Sequence, residues 1–205
     1  MQLGIRSPIR FVPAAFPFTA QIDNFTRADE NPLATSSSGA TWSATWNGQS
    51  GVNTALKVST NLAAGSAASL NSQAISTTFN RDQEAWMTVS VAPTGGIIIG
   101  VWLRLALTGG LQRGYRFTWD STNSGEFAFT SFAASSPSVL ATATGISLSP
   151  GDQFGARAIG TSLIGYKNGV KVLTTSDGNS VVASQIGLTI PQTVGRVSAF
   201  GGGNL

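Results

Sequence analysis

The stretch Gly151-Asp152-Gln153-Phe154-Gly155-Ala156-Arg157-Ala158-Ile159-Gly160, continued by Leu163-Ile164-Gly165-Tyr166-Lys167-Asn168-Gly169-Val170-Lys171-Val172, decides the fold. Pro150-Gly151-Asp152 reads as a turn, and Phe154 to Ile159 as a strand that stops at Gly160. Leu163 to Tyr166 runs back. Asn168-Gly169 is a two-residue turn of the kind that needs positive φ at both positions, which Asn and Gly tolerate best. Val170 to Thr175 then returns. Two successive hairpins make a meander, and a meander places its strands antiparallel.

The same alternation extends outward from this segment. Ala85 to Val91 sets Trp86, Thr88 and Ser90 against Met87, Val89 and Val91. Gly100 to Leu107 sets Val101, Leu103, Leu105 and Leu107 against Trp102, Arg104 and Ala106, so one face is core and the other is predicted to carry Trp102 and Arg104 outward or into a groove. Gly114 to Trp119 puts Tyr115, Phe117 and Trp119 opposite Arg116 and Thr118, and Glu126 to Ala133 carries Phe127 and Phe129 in register. Gly195 to Phe200 is the last predicted strand. Gly, Asn, Ser and Pro break the chain every ten residues or so, which is the pattern of an all-β sandwich of two antiparallel sheets.

Composition excludes most catalytic machinery. The 205 residues contain no His and no Cys, and only nine carboxylates. A Ser-His-Asp triad needs an imidazole, and a structural zinc site needs Cys or His ligands. Hydrophobic residues make up 41%, enough for a packed core, whereas charged residues make up 10% against a usual value of about 25%. Solubility must therefore rest on Ser, Thr, Asn and Gln, a surface that suits extracellular or particle-bound proteins. The net charge is +3, with cations scattered singly from Arg6 to Arg196 and no basic stripe, so nucleic acid is not an expected partner. The most apolar window, Ile97 to Leu107, is broken by Arg104 and too short to span a bilayer, so no membrane insertion is expected.

Residues 1–20 (MQLGIRSPIRFVPAAFPFTA) have an apolar stretch interrupted by Pro13 and Pro17. They read as an extended N-terminal arm, followed by a sandwich over residues 21–205. Arg6, Arg10, Phe11, Phe16 and Phe18 are the candidate attachment residues, predicted to lie on a neighbouring subunit. The alternative is a signal segment cleaved before Gln21.

At this point a resemblance is visible. The order G-D-x-F-x-A-R-A-x-G-x-x-L-x-x-Y-x-N-G-V-x-V, from Gly151 to Val172, resembles the closing half of concanavalin A-like or laminin G-like jelly-roll domains. Asp23-Asn24-Phe25-Thr26-Arg27-Ala28-Asp29 is similar to the D-x-F-x-R-A-D opening of bacterial and phage members. Trp42 and Trp46, the segment Arg81 to Ala85, and the closing GGGNL follow in the family's order. The likeness covers residues 22–203. It implies a concanavalin A-like jelly roll, a sandwich that hosts lectins, hydrolases and structural modules alike.

Three functions compete within that implication. Glucanase-like relatives carry two Glu flanking an Asp on one strand, because one carboxyl must protonate the leaving oxygen while another attacks or activates water. Asp82 and Glu84, with Cα atoms about 6.6 Å apart if extended, are the nearest pair. Glu30, Glu84 and Glu126 lie in different segments, so no enzyme is expected. Lectin sites set aromatic rings and a few polar groups against sugar faces, and Trp102, Arg104, Tyr115, Trp119 and Asp120 are the candidate glycan contacts. No cofactor is expected; calcium at Asp120, Asp177 or Asn179 is the weaker alternative, since no D-x-D-x-D-G run exists. The absence of a convincing export signal, the Pro/Phe-rich arm and the dominance of small uncharged residues point to a virion structural protein, a bacteriophage decoration, fibre or appendage module on the particle surface, and the resemblance adds that related domains recur in phage virion proteins. Its partners would be other virion proteins, copies of itself and cell-surface glycans. A secreted, extracellular bacterial carbohydrate-binding module is the alternative.

Overall fold

The computed structural model describes residues 15–43, 55–66, 70–108, 111–134, 136–180, 182–191 and 194–205. Among them are fourteen strands: β1 (Gln21–Asp23), β2 (Leu56–Ser59), β3 (Leu62–Gly65), β4 (Leu70–Ala74), β5 (Gln83–Val91), β6 (Ile99–Thr108), β7 (Leu111–Asp120), β8 (Glu126–Ala133), β9 (Ser136–Thr144), β10 (Gln153–Ile159), β11 (Ser162–Lys167), β12 (Val170–Ser176), β13 (Gln185–Pro191) and β14 (Arg196–Asn204). The larger sheet runs β12-β11-β10-β5-β14-β3-β2, with β1 also pairing β14. The smaller runs β4-β13-β6-β7-β8-β9. All pairings are antiparallel, and non-sequential neighbours such as β5 between β10 and β14 make it a jelly-roll sandwich.

The predicted meander is β10-β11-β12: β10 and β11 pair in simple antiparallel register from Phe154↔Lys167 to Ile159↔Ser162, and β11 pairs β12 with a shift between Gly165 and Tyr166. Asn168 and Gly169 adopt φ of 49° and 79°, as a tight hairpin turn of the mirror-image class requires. Between the sheets, Phe117 of β7 stacks on Phe127 at 5.1 Å and meets Phe129 and Phe154, with all four rings fully buried. Phe117 reaches the opposite sheet at Gly165, where a Cβ would lie 2.4 Å from its ring. Gly165 is therefore the floor on which the two sheets close.

The D-x-F-x-R-A-D opening has a physical role. Asp23 is fully buried and accepts hydrogen bonds from Arg27 (2.7 and 3.1 Å), the Phe25 amide and the Trp42 indole (2.8 Å). Phe25 packs on Trp42, and Trp42 on Phe200, so one carboxylate ties the chain's opening to its last strand. Trp46 lies outside the described residues.

Two sequence expectations need correction. The first concerns β6. The register slips between Leu103 and Ala106, and Arg104 sits at φ 50°. This bulge reverses the alternation beyond it. Leu105 joins Trp102 on the outer face of the smaller sheet, in a cluster with Ala74 and Phe132, and Arg104 turns to the inner face beside Tyr115. The second concerns the arm. Phe16 is buried against this chain's own larger sheet, stacked 4.4 Å from Tyr166, so residues 15–20 belong to the sandwich. Phe18 is 61% exposed. Arg6, Arg10 and Phe11 lie outside the described residues.

Candidate functional site

Each sheet has an outer face, and on each an arginine lies among aromatic rings. On the larger sheet Glu84, Trp86, Arg157 and Tyr166 share the outer surface, and residues 15–20 lie across them. Glu84 is fully buried; its Oε1 accepts hydrogen bonds from the amides of Phe18 and Thr19 and from the Thr19 hydroxyl. Its Oε2 takes the Arg157 Nε–H at 2.6 Å. The Arg157 guanidinium lies 5.6 Å from the Phe16 ring and 5.3 Å from Tyr166, and donates to the Ala15 carbonyl. The Trp86 indole donates to the Thr19 carbonyl. Glu84, the Arg157 guanidinium and the Trp86 indole are thus hydrogen-bonded to one another or to residues 15–19, so this face is a closed structural clasp.

Asp82 and Glu84, the nearest carboxylate pair to a hydrolytic arrangement, sit at its edge. Glu84 is consumed by the clasp. Asp82 accepts from the Gly160 amide, and Arg104 Nη2 lies 3.7 Å from it. Asn80, Arg81, Asp82, Ala183 and Leu205 line an open cleft of about 440 Å³ there. With Glu84 sealed beneath residues 15–20, the two carboxyls do not flank a common substrate position.

The outer face of the smaller sheet is built differently. Gly100 and Trp102 of β6, Arg116 and Thr118 of β7, Ala128, Thr130 and Phe132 of β8, and Thr142 and Thr144 of β9 share it by register. Trp102 and Phe132 are buried, with rings 4.8 Å apart and inclined at 53°. The Trp102 indole donates to the Thr189 hydroxyl at 2.6 Å, which in turn lies 2.8 Å from the Ser72 hydroxyl, fixing the ring. Arg116 lies over this corner, its guanidinium carbon 5.3 Å from Trp102 and 5.1 Å from Phe132. Burial holds the Arg116 pKa down at about 10, because the charged form is poorly solvated. Its Nε–H is shielded from solvent and has no acceptor. Beyond Arg116 the face opens: Ala128 and Glu126 are half-buried, Thr142 and Thr144 exposed. Asp120, cross-strand from Glu126, forms the rim, and its carboxylate accepts from the Thr122 amide and hydroxyl.

The five predicted glycan contacts thus separate. Trp102 is 1% exposed and serves as the bed for Arg116. Arg104 and Tyr115 are fully buried at one end of the sandwich, where Arg104 donates to the Arg81 carbonyl (2.6 Å) and Tyr115 to the Asp177 carbonyl (3.1 Å). Burial lowers the Arg104 pKa and raises that of Tyr115. Trp119 packs in the core and donates to the Ile146 carbonyl. None of these four presents a ring or donor to a sugar: Trp102 is covered on the outer face by Arg116 and Phe132, while the bulge takes Arg104 inside and the inward parity of β7 does the same for Tyr115 and Trp119. Asp120 alone remains half-exposed on the open face. Arg116 and Phe132 were missed; the available signal was Arg116 alternating with a run of inward aromatics. No group of three or more metal-ligating side chains occurs among the described residues.

No family model and no curated protein matches the chain at the sequence level. Solved structures share its fold. The VIP36 exoplasmic/lumenal domain in a Ca²⁺/Man-bound form superposes with a TM-score of 0.62 at 11% identity, covering 86% of this chain and 89% of that one. A prokaryotic β-1,3-1,4-glucanase (lichenase) from a mouse hindgut metagenome gives 0.56 at 11% identity, covering 87% and 99%. The carbohydrate-binding module CBM66 from Bacillus subtilis gives 0.53 at 17% identity, covering 80% and 89%. The chain therefore has the jelly-roll architecture of the lectin-like sandwiches. No helix among the described residues is long and apolar enough to cross a membrane.

Proposed function

We propose that this protein is a non-enzymatic carbohydrate-binding module acting outside the cell, with its glycan site on the outer face of β7, β8 and β9. One observation carries the reading. The half-buried Arg116, held on Trp102 and Phe132, stands beside an open strip of small and hydroxyl residues bounded by Asp120 and Glu126. A sugar ring needs a shallow floor with directional donors and acceptors around it. Ala128 supplies the floor, Thr142 and Thr144 supply hydroxyls, Arg116 supplies N–H donors, and the two acids supply acceptors. The lectin-like and carbohydrate-binding proteins of the same fold support glycan binding, and the engagement of Glu84 by residues 18–19 and Arg157 speaks against hydrolysis.

The virion reading, first in order from the sequence, drew on the Pro/Phe-rich arm, on a surface of small uncharged residues and on the resemblance to phage proteins; the fold neighbours favour its alternative, the carbohydrate-binding module. The described end of that segment, residues 15–20, packs on the chain's own larger sheet. The test is affinity electrophoresis of the full chain through gels containing neutral and acidic polysaccharides. Retardation by at least one, weakened by Thr142→Trp or Ala128→Trp on the open strip, is the expected result. Free migration through every polysaccharide would sink the reading.

A further inference from the structure

A half-buried guanidinium with a shielded Nε–H ordinarily has a carboxylate or other acceptor within reach, because a shielded donor left unpaired carries a desolvation penalty. All nine carboxylates of the chain lie among the described residues, so each can be traced. Asp23 and Glu30 engage Arg27, Asp82 faces Arg104, Glu84 engages Arg157, and Asp152 engages Lys167. The remaining four accept from N–H groups of Thr60, Thr122, Asn179 and Asn123. None reaches Arg116. Among the described residues Arg116 makes no hydrogen bond and no ion pair; its partners are the two ring faces. Aromatic faces attract the cation but supply no in-plane acceptor for its N–H fork.

The ring corner is itself fixed, because the Trp102 indole is tied to Thr189 and Ser72. The guanidinium is therefore held in place with its donors unspent, beside a half-exposed opening. A planar fork of this kind matches a carboxylate through two parallel N–H···O bonds. We propose that the glycan is acidic, and that Arg116 binds the carboxylate of a uronic acid unit seated on the outer face of β7 and β8. The assignment rests on the glycan-binding reading and narrows it to a substrate class.

The test uses the full chain and two polysaccharides with one backbone: polygalacturonate, and the same polymer with its carboxyls methyl-esterified. Polygalacturonate is expected to bind, with affinity on the order of tenfold or more weaker for the ester, the loss produced by removing one charge-assisted contact. Arg116→Met should bring binding of the acid form down to the ester's level. Arg116→Lys should restore part of it, and Arg113→Met, at an exposed cation on the same strand, should leave it unchanged. Equal binding of acid and ester overturns the assignment while leaving glycan binding intact. So does binding by dextran sulfate without binding by polygalacturonate. If the acid, the ester and a panel of neutral polysaccharides all fail to bind, the glycan reading falls with it. The acid–ester comparison needs no variant, so a misfolded Arg116→Met leaves the result decisive.

Discussion

Arg157 and Arg116 occupy matching places on opposite outer faces, each with its guanidinium just over 5 Å from two aromatic rings. Arg157 also holds Glu84, which in turn holds the amides of Phe18 and Thr19. Arg116 holds nothing else among the described residues. The aromatic setting is shared; the counter-charge is what differs. Where a carboxylate completes the arginine, the face is sealed and serves stability. Where it is missing, the fold carries a cost that a ligand can offset.

The comparison can be broken most forcefully at Glu84. Glu84→Ala would strand the Arg157 cation and three donors of residues 18–19, costing about 3–5 kcal/mol. Urea denaturation should show a lower midpoint; an unchanged midpoint would mean that the clasp contributes nothing. Thr189→Val removes the acceptor of the buried Trp102 indole, and leaving that donor unsatisfied costs about 1–3 kcal/mol. It should also weaken polygalacturonate binding, because the bed beneath Arg116 loosens; a stability loss without a binding loss would separate ring from guanidinium.

Arg116→Met should go the other way. Replacing a half-buried cation that lacks a carboxylate partner and has an unpaired, shielded Nε–H with an apolar chain of similar length removes a desolvation cost, so the urea midpoint should hold or rise. A fall would show that Arg116 is structural after all.

The smallest effect concerns Asp152. Burial raises its pKa, but hydrogen bonds from Asn168 and the Ser149 amide, with Lys167 alongside, outweigh burial and hold it below the usual carboxylate range. A carboxylate depressed on folding contributes stability above its unfolded pKa and loses it as pH falls through the folded value. Denaturation midpoints of the wild type and Asp152→Asn should differ near neutral pH and converge in acid.

Much of the sandwich was legible in the chain. The Asn168-Gly169 turn and the alternation in β5, β7 and β8 announce themselves because local residue type and local geometry agree. The bulge in β6 does not, since positive φ is usually marked by Gly or Asn and here falls on Arg104. β9 was hidden for a similar reason: its Ser-Pro-Ser opening reads as loop, yet a sheet edge tolerates proline. The clasp was invisible because it joins Phe18 and Thr19 to Glu84 and Arg157 across long sequence separations. The candidate site shared that fate. Arg116 becomes notable only once register sets it beside Trp102 and Phe132, and once every carboxylate is found elsewhere.

The most direct measurement is an NMR titration of the arginine side-chain Nε–H resonances with a galacturonate trimer. Saturable movement of the Arg116 signal, with Arg157 stationary, is the predicted outcome. An Arg116 resonance that stays put at saturating trimer, or an Arg157 signal that moves in its place, would contradict the account.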